Sequence, residues 1–420
     1  MNNSIGSPEF AGLQKALVEK LILMGCITSP HVAEAFRTVP RHLFTPGVAL
    51  EKVYSDSSIP TKRADGKLVS SSSQPAVMAI MLEQLQLQPG HRILEIGAGT
   101  GFNAGLMAHL VGKSGHVVTV DIDEDIVEGA REHLRSAGLD NVKVICGDGG
   151  LGYANDAPYD RIILTVGSWD IVPAWWEQLK PGGRLVLPLE IKGGIQSSIA
   201  FDKKDAYLES VSVSGCSFIS LRGAFSRPPN IVPLGPEPGL AISADEVVIN
   251  GDQVYRLLCG PSEDFPSGVQ GIPGEVIYGG LGLWLSLHEP HLCVLSSEGE
   301  LANRGIVPCF LTIQTVQKLC VTGGLLGDEE LCVFVRHPEP GSSSELSANL
   351  QSVEFFVRSY GRGTRLAKQL IDQTRAWHAA GRPSSKGLPI RAYLKDYKYL
   401  PAPDEFVIPK RWTNLVLKWK

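Results

Sequence analysis

Apolar residues at positions 13, 17, 21 and 24 recur at helical spacing, and a second helical run covers 31–36, so the chain is expected to open with a helical cap. A further helix is predicted over 74–85, with Pro75 in its first turn, where the missing N–H costs nothing. Pro89 and Gly90 mark a turn. Beyond it the pattern alternates. Short apolar runs at 92–96, 116–121, 142–146, 161–165 and 184–189 read as buried strands, and the segments at 103–111, 124–137 and 173–179 read as helices between them. Strands joined through helices of this length imply right-handed crossovers and a parallel sheet covered on both faces. The run at 197–220 suits antiparallel edge strands. The fold expected is α/β, a doubly wound Rossmann-like sheet behind an N-terminal helical cap.

The pattern changes after Phe225, where five prolines fall within 226–239, a stretch unable to continue a helix or a central strand. A domain boundary is placed there. The expected organisation is one unit over 11–225 and a second, mixed α/β unit over 226–420. The second unit is expected to hold strands near Val247, Leu292, Ile306 and Leu331, a helix over 364–380 and a strand over 415–419. The proline- and glycine-rich stretch at 260–282 is expected to be a long loop. Residues 1–10 end in GSPEF, resemble a translated cloning site, and are set aside from the fold.

The 420 residues carry 39 basic and 44 acidic side chains, a formal net charge of −5 that offers no general attraction to a polyanion. Nucleic acid is therefore not an expected partner. No apolar run reaches the roughly 18 to 20 residues of a membrane span, and no basic-then-apolar leader is seen, so a cytoplasmic protein is expected. The eight cysteines include no C-x-x-C pair and are read as reduced, mostly buried thiols. His31, His42, His109, His116 and His133 are not grouped at metal-ligand spacing, and no metal is expected.

Chemistry enters with LEIGAGTGFNAG at 94–105, a strand that breaks into three glycines and then a helix. Gly97, Gly99 and Gly101 leave no side chain between backbone and ligand, so main-chain N–H groups can face a nucleotide-like cofactor. The G-x-G-x-G spacing differs from the dinucleotide pattern, and Glu95 at the strand end suits a positively charged moiety. S-adenosylmethionine fits that description better than NAD. Asp121, about twenty residues past Gly101, is placed to accept a ribose diol, its alternative being a helix N-cap. Asp148, in CGDGG, is placed to take an adenine amine, with Gly147 and Gly149 letting the ring approach.

VPRHLFTPG at 39–47, SSSQP at 71–75, the glycine loop, GDGGLGY at 147–153, APYDRIILTVG at 157–167 and QLKPGGRLVLPL at 178–189 follow one another in order. Together they resemble the protein L-isoaspartate O-methyltransferases. The resemblance covers about residues 39–225. It implies a methyltransferase fold, S-adenosylmethionine as donor and a peptide carboxylate as acceptor. Carried over by motif, Glu95, Gly97, Gly99 and Gly101 would surround the donor's methionine part, Asp121 its ribose, and Asp148 with Gly149 its adenine, while Ala98, Thr100, Asn103, Ile122 and Thr165 would also belong to the cofactor site. Ser73 matches the family's active-site serine, and its position before Gln74 and Pro75 also fits a helix N-cap. Where the family shows threonine and a bulky aliphatic residue, this chain has Ser71 and Ser72, which opens space and adds hydroxyls beside the acceptor. Trp169 is expected near the acceptor groove, and Trp175 and Trp176 in the core.

The chain also resembles larger fused methyltransferases found beside lanthipeptide and related peptide-modification genes, which share the serine-rich replacement and a C-terminal extension. That likeness implies methylation of an ordinary aspartate in a cyclised precursor peptide, leading through a succinimide to isoaspartate. The repair reaction on isoaspartate is the alternative. On either reading the partner is a peptide or protein, and Arg358, Arg362, Arg365, Lys368 and Arg375 are candidates to attract an acidic segment, or else form a solvated helix face. RNA methylation has no support in charge or motif, and the intact serine loop argues against a module that only senses the donor.

Overall fold

The computed structural model describes residues 8–419 except 65, 195, 228–229, 237, 275–279, 315–317 and 338–350. The N-terminal cap consists of α1 (Pro8–Leu23), α2 (Pro30–Thr38) and α3 (Leu50–Val53). Residues 8–10, set aside with the cloning site, belong to α1, and Phe10 packs on the ring of His42 at 4.6 Å. Residues 1–7 lie outside the described residues. A hairpin follows, β1 (Ile59–Ala64) with β2 (Lys67–Ser72), and then α4 (Pro75–Leu85).

The apolar runs then form β3 (Arg92–Ile96), β4 (His116–Asp121), β5 (Val142–Cys146), β6 (Tyr159–Leu164) and β7 (Leu179–Glu190). They alternate with α5 (Phe102–Val111), α6 (Glu124–Ser136) and α7 (Pro173–Gln178). The strands pair in the order β5-β4-β3-β6-β7, all parallel, and β8 (Gln196–Lys203) and β9 (Leu208–Gly215) continue antiparallel. Alternation along each strand feeds two cores. Ile93, Val117, Ile163 and Val186 pack with the cap, α5 and α6, whereas Leu94, Val118, Ile162 and Leu185 pack with Trp175 and Trp176. After β5 the chain crosses to the other side of β3, so the crevice at the C-terminal ends of β3 and β6 is the place where such sheets hold ligands.

A second, antiparallel sheet occupies residues 231–361. Its strands are β10 (Ile231–Pro233), β11 (Leu240–Ala244), β12 (Ser262–Gly271), β13 (Leu292–Glu298), β14 (Leu311–Gln314), β15 (Lys318–Leu326), β16 (Glu330–Val335) and β17 (Val353–Gly361). The helices α8 (Gly251–Leu258), α9 (Leu281–His288), α10 (Glu300–Arg304) and α11 (Arg365–Ala379) accompany it. Three expectations change here. Val247 and Ile306 lie in bends, their apolar side chains packing on the core from loops. The stretch at 260–282 is not all loop, since β12 runs through Pro266, which is tolerated because β12 ends the sheet order. Cys309 and Cys320 are disulfide-bonded rather than reduced, because the β14–β15 hairpin brings their Cα atoms to 4.9 Å.

The chain then returns to the first sheet. β18 (Ile390–Leu394) pairs with β9 through Arg391↔Glu209 and Ala392↔Leu208, and β20 (Thr413–Leu417) and β19 (Phe406–Pro409) complete a ten-stranded sheet. The second unit therefore does not run unbroken over 226–420. Ile390, Ala392, Leu415 and Leu417 join the core that holds Leu185 and Leu187, covering an edge that β9 would otherwise leave open. No helix among the described residues is long and apolar enough to cross a membrane.

Candidate active site

β3 ends at Ile96, and the chain turns through Gly97, Gly99 and Gly101 at φ of +101°, +50° and +85° before α5 begins. A side chain at Gly97 has no room, since its Cβ would lie 2.7 Å from Thr165 Oγ1 and 3.0 Å from Val166 Cγ1. Thr165 Oγ1 donates to the Gly97 carbonyl at 2.6 Å and pins the loop against the end of β6. The loop forms one wall of a cavity of about 410 Å³. Gly97, Ala98, Gly99, Thr100, Asn103, Asp121, Ile122, Gly149 and Thr165 all line it, as do Ser71, Ser72 and Ser73.

Three expected site residues do not line the cavity. Glu95 shares its face of β3 with Ile93, so strand alternation sends it beneath α5, fully buried. There its carboxylate accepts from Asn103 Nδ2 at 2.7 Å and Thr119 Oγ1 at 2.6 Å, and burial pushes its pKa up to about 7. It braces the loop from behind. Gly101 is the N-cap of α5 and faces Ala130 and Leu134, which serves helix packing. Asp148 accepts backbone N–H groups from Gly150 at 2.9 Å and Ala224 at 2.7 Å, one on each oxygen, and thereby fixes the neighbouring loop while Gly149 forms the cavity wall.

Asp121 does face the cavity. Its Oδ2 accepts the Gly99 N–H at 3.1 Å and its Oδ1 the Asp123 N–H at 3.4 Å, and burial, the largest influence, leaves its pKa above the ordinary value. The N-cap of α6 is Asp123, so the helix-cap alternative for Asp121 falls away.

Ser72 is 3 % exposed, and its hydroxyl has no hydrogen-bond partner among the described residues. Ser73 is not the cap of α4. Asp56 takes that role, accepting the Ala76 N–H at 2.9 Å and Gln74 Nε2 at 3.0 Å. Beneath the serines lies Arg41, 1 % exposed, whose guanidinium donates to the carbonyls of Val53, Ser55, Ser57 and Ser73 at 2.7 to 3.2 Å. Burial lowers its pKa to about 10, which leaves it charged.

Sequence reasoning did not single out Arg41 within VPRHLFTPG, nor Ser58, residues 217–220 and Arg222, which also line the cavity or support it. No local signal marks them, because each reaches the site through a distant turn. Trp169 is not at the groove: its Nε1 donates to the Phe225 carbonyl at 3.1 Å, and its ring lies 5.5 Å from that of Trp412, just before β20. Trp175 is in the core as expected, and its Nε1 also supports the Gly149 carbonyl at 2.9 Å. Of the basic series, Arg358 is engaged by Asp264 and Arg375 by the Ser267 carbonyl.

Residues 12–225 match the family profile of the protein-L-isoaspartate(D-aspartate) O-methyltransferases. The chain is 40 % identical over 215 residues to the protein-L-isoaspartate O-methyltransferase of Methanopyrus kandleri, covering 51 % of this chain and 93 % of that protein. It is 38 % identical over 224 residues to the enzyme of the same name from Hyperthermus butylicus, covering 51 % and 91 %. A solved structure of a protein-L-isoaspartate O-methyltransferase superposes with a TM-score of 0.51 at 24 % identity. That likeness is one of fold, and it spans 93 % of this chain and 99 % of the other.

Proposed function

The chain belongs to the protein-L-isoaspartate(D-aspartate) O-methyltransferase family, and from that premise we propose that it methylates the carboxylate of an isoaspartyl residue in a peptide or protein. The observation that carries this reading is one cavity lined together by the glycine loop, Asp121 and Ser71, Ser72 and Ser73. The residues fit S-adenosylmethionine: a loop that no side chain enters at Gly97, a buried acid at the end of β4, and Gly149, where a side chain would run into Ile96. When bound, S-adenosylmethionine supplies a methyl carbon on a cationic sulfur that leaves neutral.

The protein's own part is mainly positional. A carboxylate acceptor is already ionised near neutral pH and needs no general base. Loop N–H groups and Asp121 hold the donor side, and the serine hydroxyls offer donors to the acceptor oxygens. Holding oxygen and carbon in line is worth up to ~7 to 11 kcal/mol in well-oriented systems.

A second reading rests on Ser72. A hydroxyl without a partner stands where the resemblance leads one to expect a bulky aliphatic side chain, which supports a roomier, more polar acceptor subsite. On that reading the acceptor is an ordinary aspartate in a modified, lanthipeptide-like peptide, and the sheet at 231–361 grips the substrate. Mass spectrometry decides between the two. Isoaspartyl peptides incubated with donor gain one methyl under the first; a cyclic aspartyl precursor gains one methyl and then loses methanol under the second. Failure of both acceptors sinks the proposal.

A further inference from the structure

Two walls of the donor cavity lie outside the parallel strands that carry the glycine loop. One is the β1–β2 hairpin, which pairs with no other strand among the described residues, and the other is the segment 217–222. A lone hairpin is marginal, so its position depends on what ties it to the body of the fold. Both walls reach one shared carboxylate, that of Asp123, and the hairpin reaches Asp125 as well. Lys62 Nζ, on β1, lies 3.0 Å from Asp123 Oδ2 and 2.6 Å from Asp125 Oδ1. Arg222 meets Asp123 with both terminal nitrogens, at 3.1 and 2.8 Å.

Asp123 in turn donates its backbone N–H to Asp121, the acid that faces the cavity. Lys62 is the register partner of Ser70 across the hairpin, and Thr61 Oγ1 donates to Ser70 Oγ at 3.0 Å, so the acceptor serines continue directly from the tethered rung. An unbroken line of contacts thus joins the donor's acid to the acceptor loop. The side chains of Lys62, Asp123 and Arg222 are 29 %, 19 % and 38 % exposed, and ion pairs that keep contact with water hold weakly and reversibly.

Resting on the methyl-donor reading above, we propose that Asp123 is a positioning residue which, with Lys62 and Arg222, forms an ionic latch holding both walls over the donor and opening for release of the demethylated product. A latch of this kind makes release faster with added salt, which apolar packing does not.

The test is stopped-flow displacement of S-adenosylhomocysteine from the full chain, with amide hydrogen exchange alongside. Asp123→Asn is expected to speed dissociation about tenfold and to flatten its salt dependence. Lys62→Met and Arg222→Met act in the same direction but less, and Asp123→Asn with Arg222→Met is no faster than Asp123→Asn alone, whereas Lys62→Met adds to it because Lys62 also pairs with Asp125. Exchange rises over 59–72 in the Asp123→Asn and Lys62→Met variants while β3 stays protected. Variants that bind the probe and release it at the wild-type rate, with unchanged exchange at 59–72, overturn the latch alone. A wild-type chain that does not bind the probe removes the donor reading and the latch with it.

Discussion

Arg41 and Ser73 are joined by a hydrogen bond of 2.9 Å, from a guanidinium that is almost completely buried to the carbonyl of the serine that ends the acceptor loop. The same guanidinium holds the carbonyls of Val53, Ser55 and Ser57, so one side chain sets the loop's position against the segment that leads out of α3. A buried cation is tolerated there because it is hydrogen-bonded and still charged.

Arg41→Lys is the informative change. A lysine keeps the charge but loses the planar fork, so it cannot reach all four carbonyls. The loop shifts, and kcat is expected to fall about ten- to a hundredfold with donor affinity within about twofold, since misplacement of the acceptor wall costs rate more than binding. Calorimetry for the donor product and steady-state kinetics for a peptide acceptor check the split. Arg41→Met leaves those carbonyls without their donor and is expected to cost about 3 kcal/mol or more of stability in chemical denaturation.

Ser72 separates structure from function in another way. Its hydroxyl is buried without a partner, a state that is unfavourable by about 1 to 3 kcal/mol unless a ligand satisfies it. Ser72→Ala is therefore expected to leave the melting temperature equal or raised, yet to lower kcat/KM by up to about tenfold. Parallel thermal melts and kinetics test this; a variant that melts higher with undiminished turnover removes Ser72 from acceptor recognition.

Gly97→Ala tests the donor wall. The added methyl meets Thr165 Oγ1 and Val166 Cγ1 at a backbone angle that L-residues resist by roughly 1 to 2 kcal/mol. Affinity for S-adenosylhomocysteine is expected to drop at least about tenfold by calorimetry, because the loop must move into the space the ligand uses.

Much of the first unit was legible in the sequence because its signals are local. Continuous apolar runs gave the bounds of β3, β4 and β5 to the residue, and the glycines of the loop lie where their backbone angles require them. Glu95 was misplaced for a reason equally local: a carboxylate beside a cofactor loop reads as a ligand, whereas strand alternation turns it away. Arg41, Asp123 and Arg222 carry no such mark, since each acts across a gap in sequence that only the fold closes, 32 residues between Arg41 and Ser73 and 99 between Arg222 and Asp123. The return of β18 to β9 closes a wider gap, with Ile390 N–H bonded to Ser210 Oγ across 180 residues.

That return reaches further still at Asp170, fully buried, which accepts from Ile171 N at 2.7 Å and, across 242 and 243 residues, from Trp412 N at 2.6 Å and Thr413 Oγ1 at 2.5 Å. Asp170→Ala orphans the two C-terminal donors and is expected to cost about 2 to 4 kcal/mol. The first consequence is local. Limited proteolysis is expected to cut between 395 and 412 in the variant before any cut in the parallel strands, and simultaneous digestion of the whole chain would count against the anchor.

Glu95 gives the fold a pH dependence whose sign follows from its burial. Its pKa in the folded chain is raised from the usual 4.5 to about 7, so the folded state keeps a proton that the unfolded chain has already released. The group's contribution is therefore fully present below pH 4.5 and is lost as pH rises through about 7, on the order of a few kcal/mol in all. Carboxylates such as Asp160 and Asp264, held below their usual range by Lys180 and Arg358, contribute in the opposite sense, so the wild-type curve alone mixes both. The difference between wild type and Glu95→Gln isolates the one group. Glu95→Gln cannot ionise, and its stability relative to wild type is expected to climb between pH 5 and 8, measured by urea unfolding at each pH. Asn103 and Thr119 both donate to the carboxylate and partly offset its burial, so the slope steepens if Thr119→Val is introduced into the wild-type background. A flat difference between the two curves across that range would place the charge of Glu95 elsewhere than under α5.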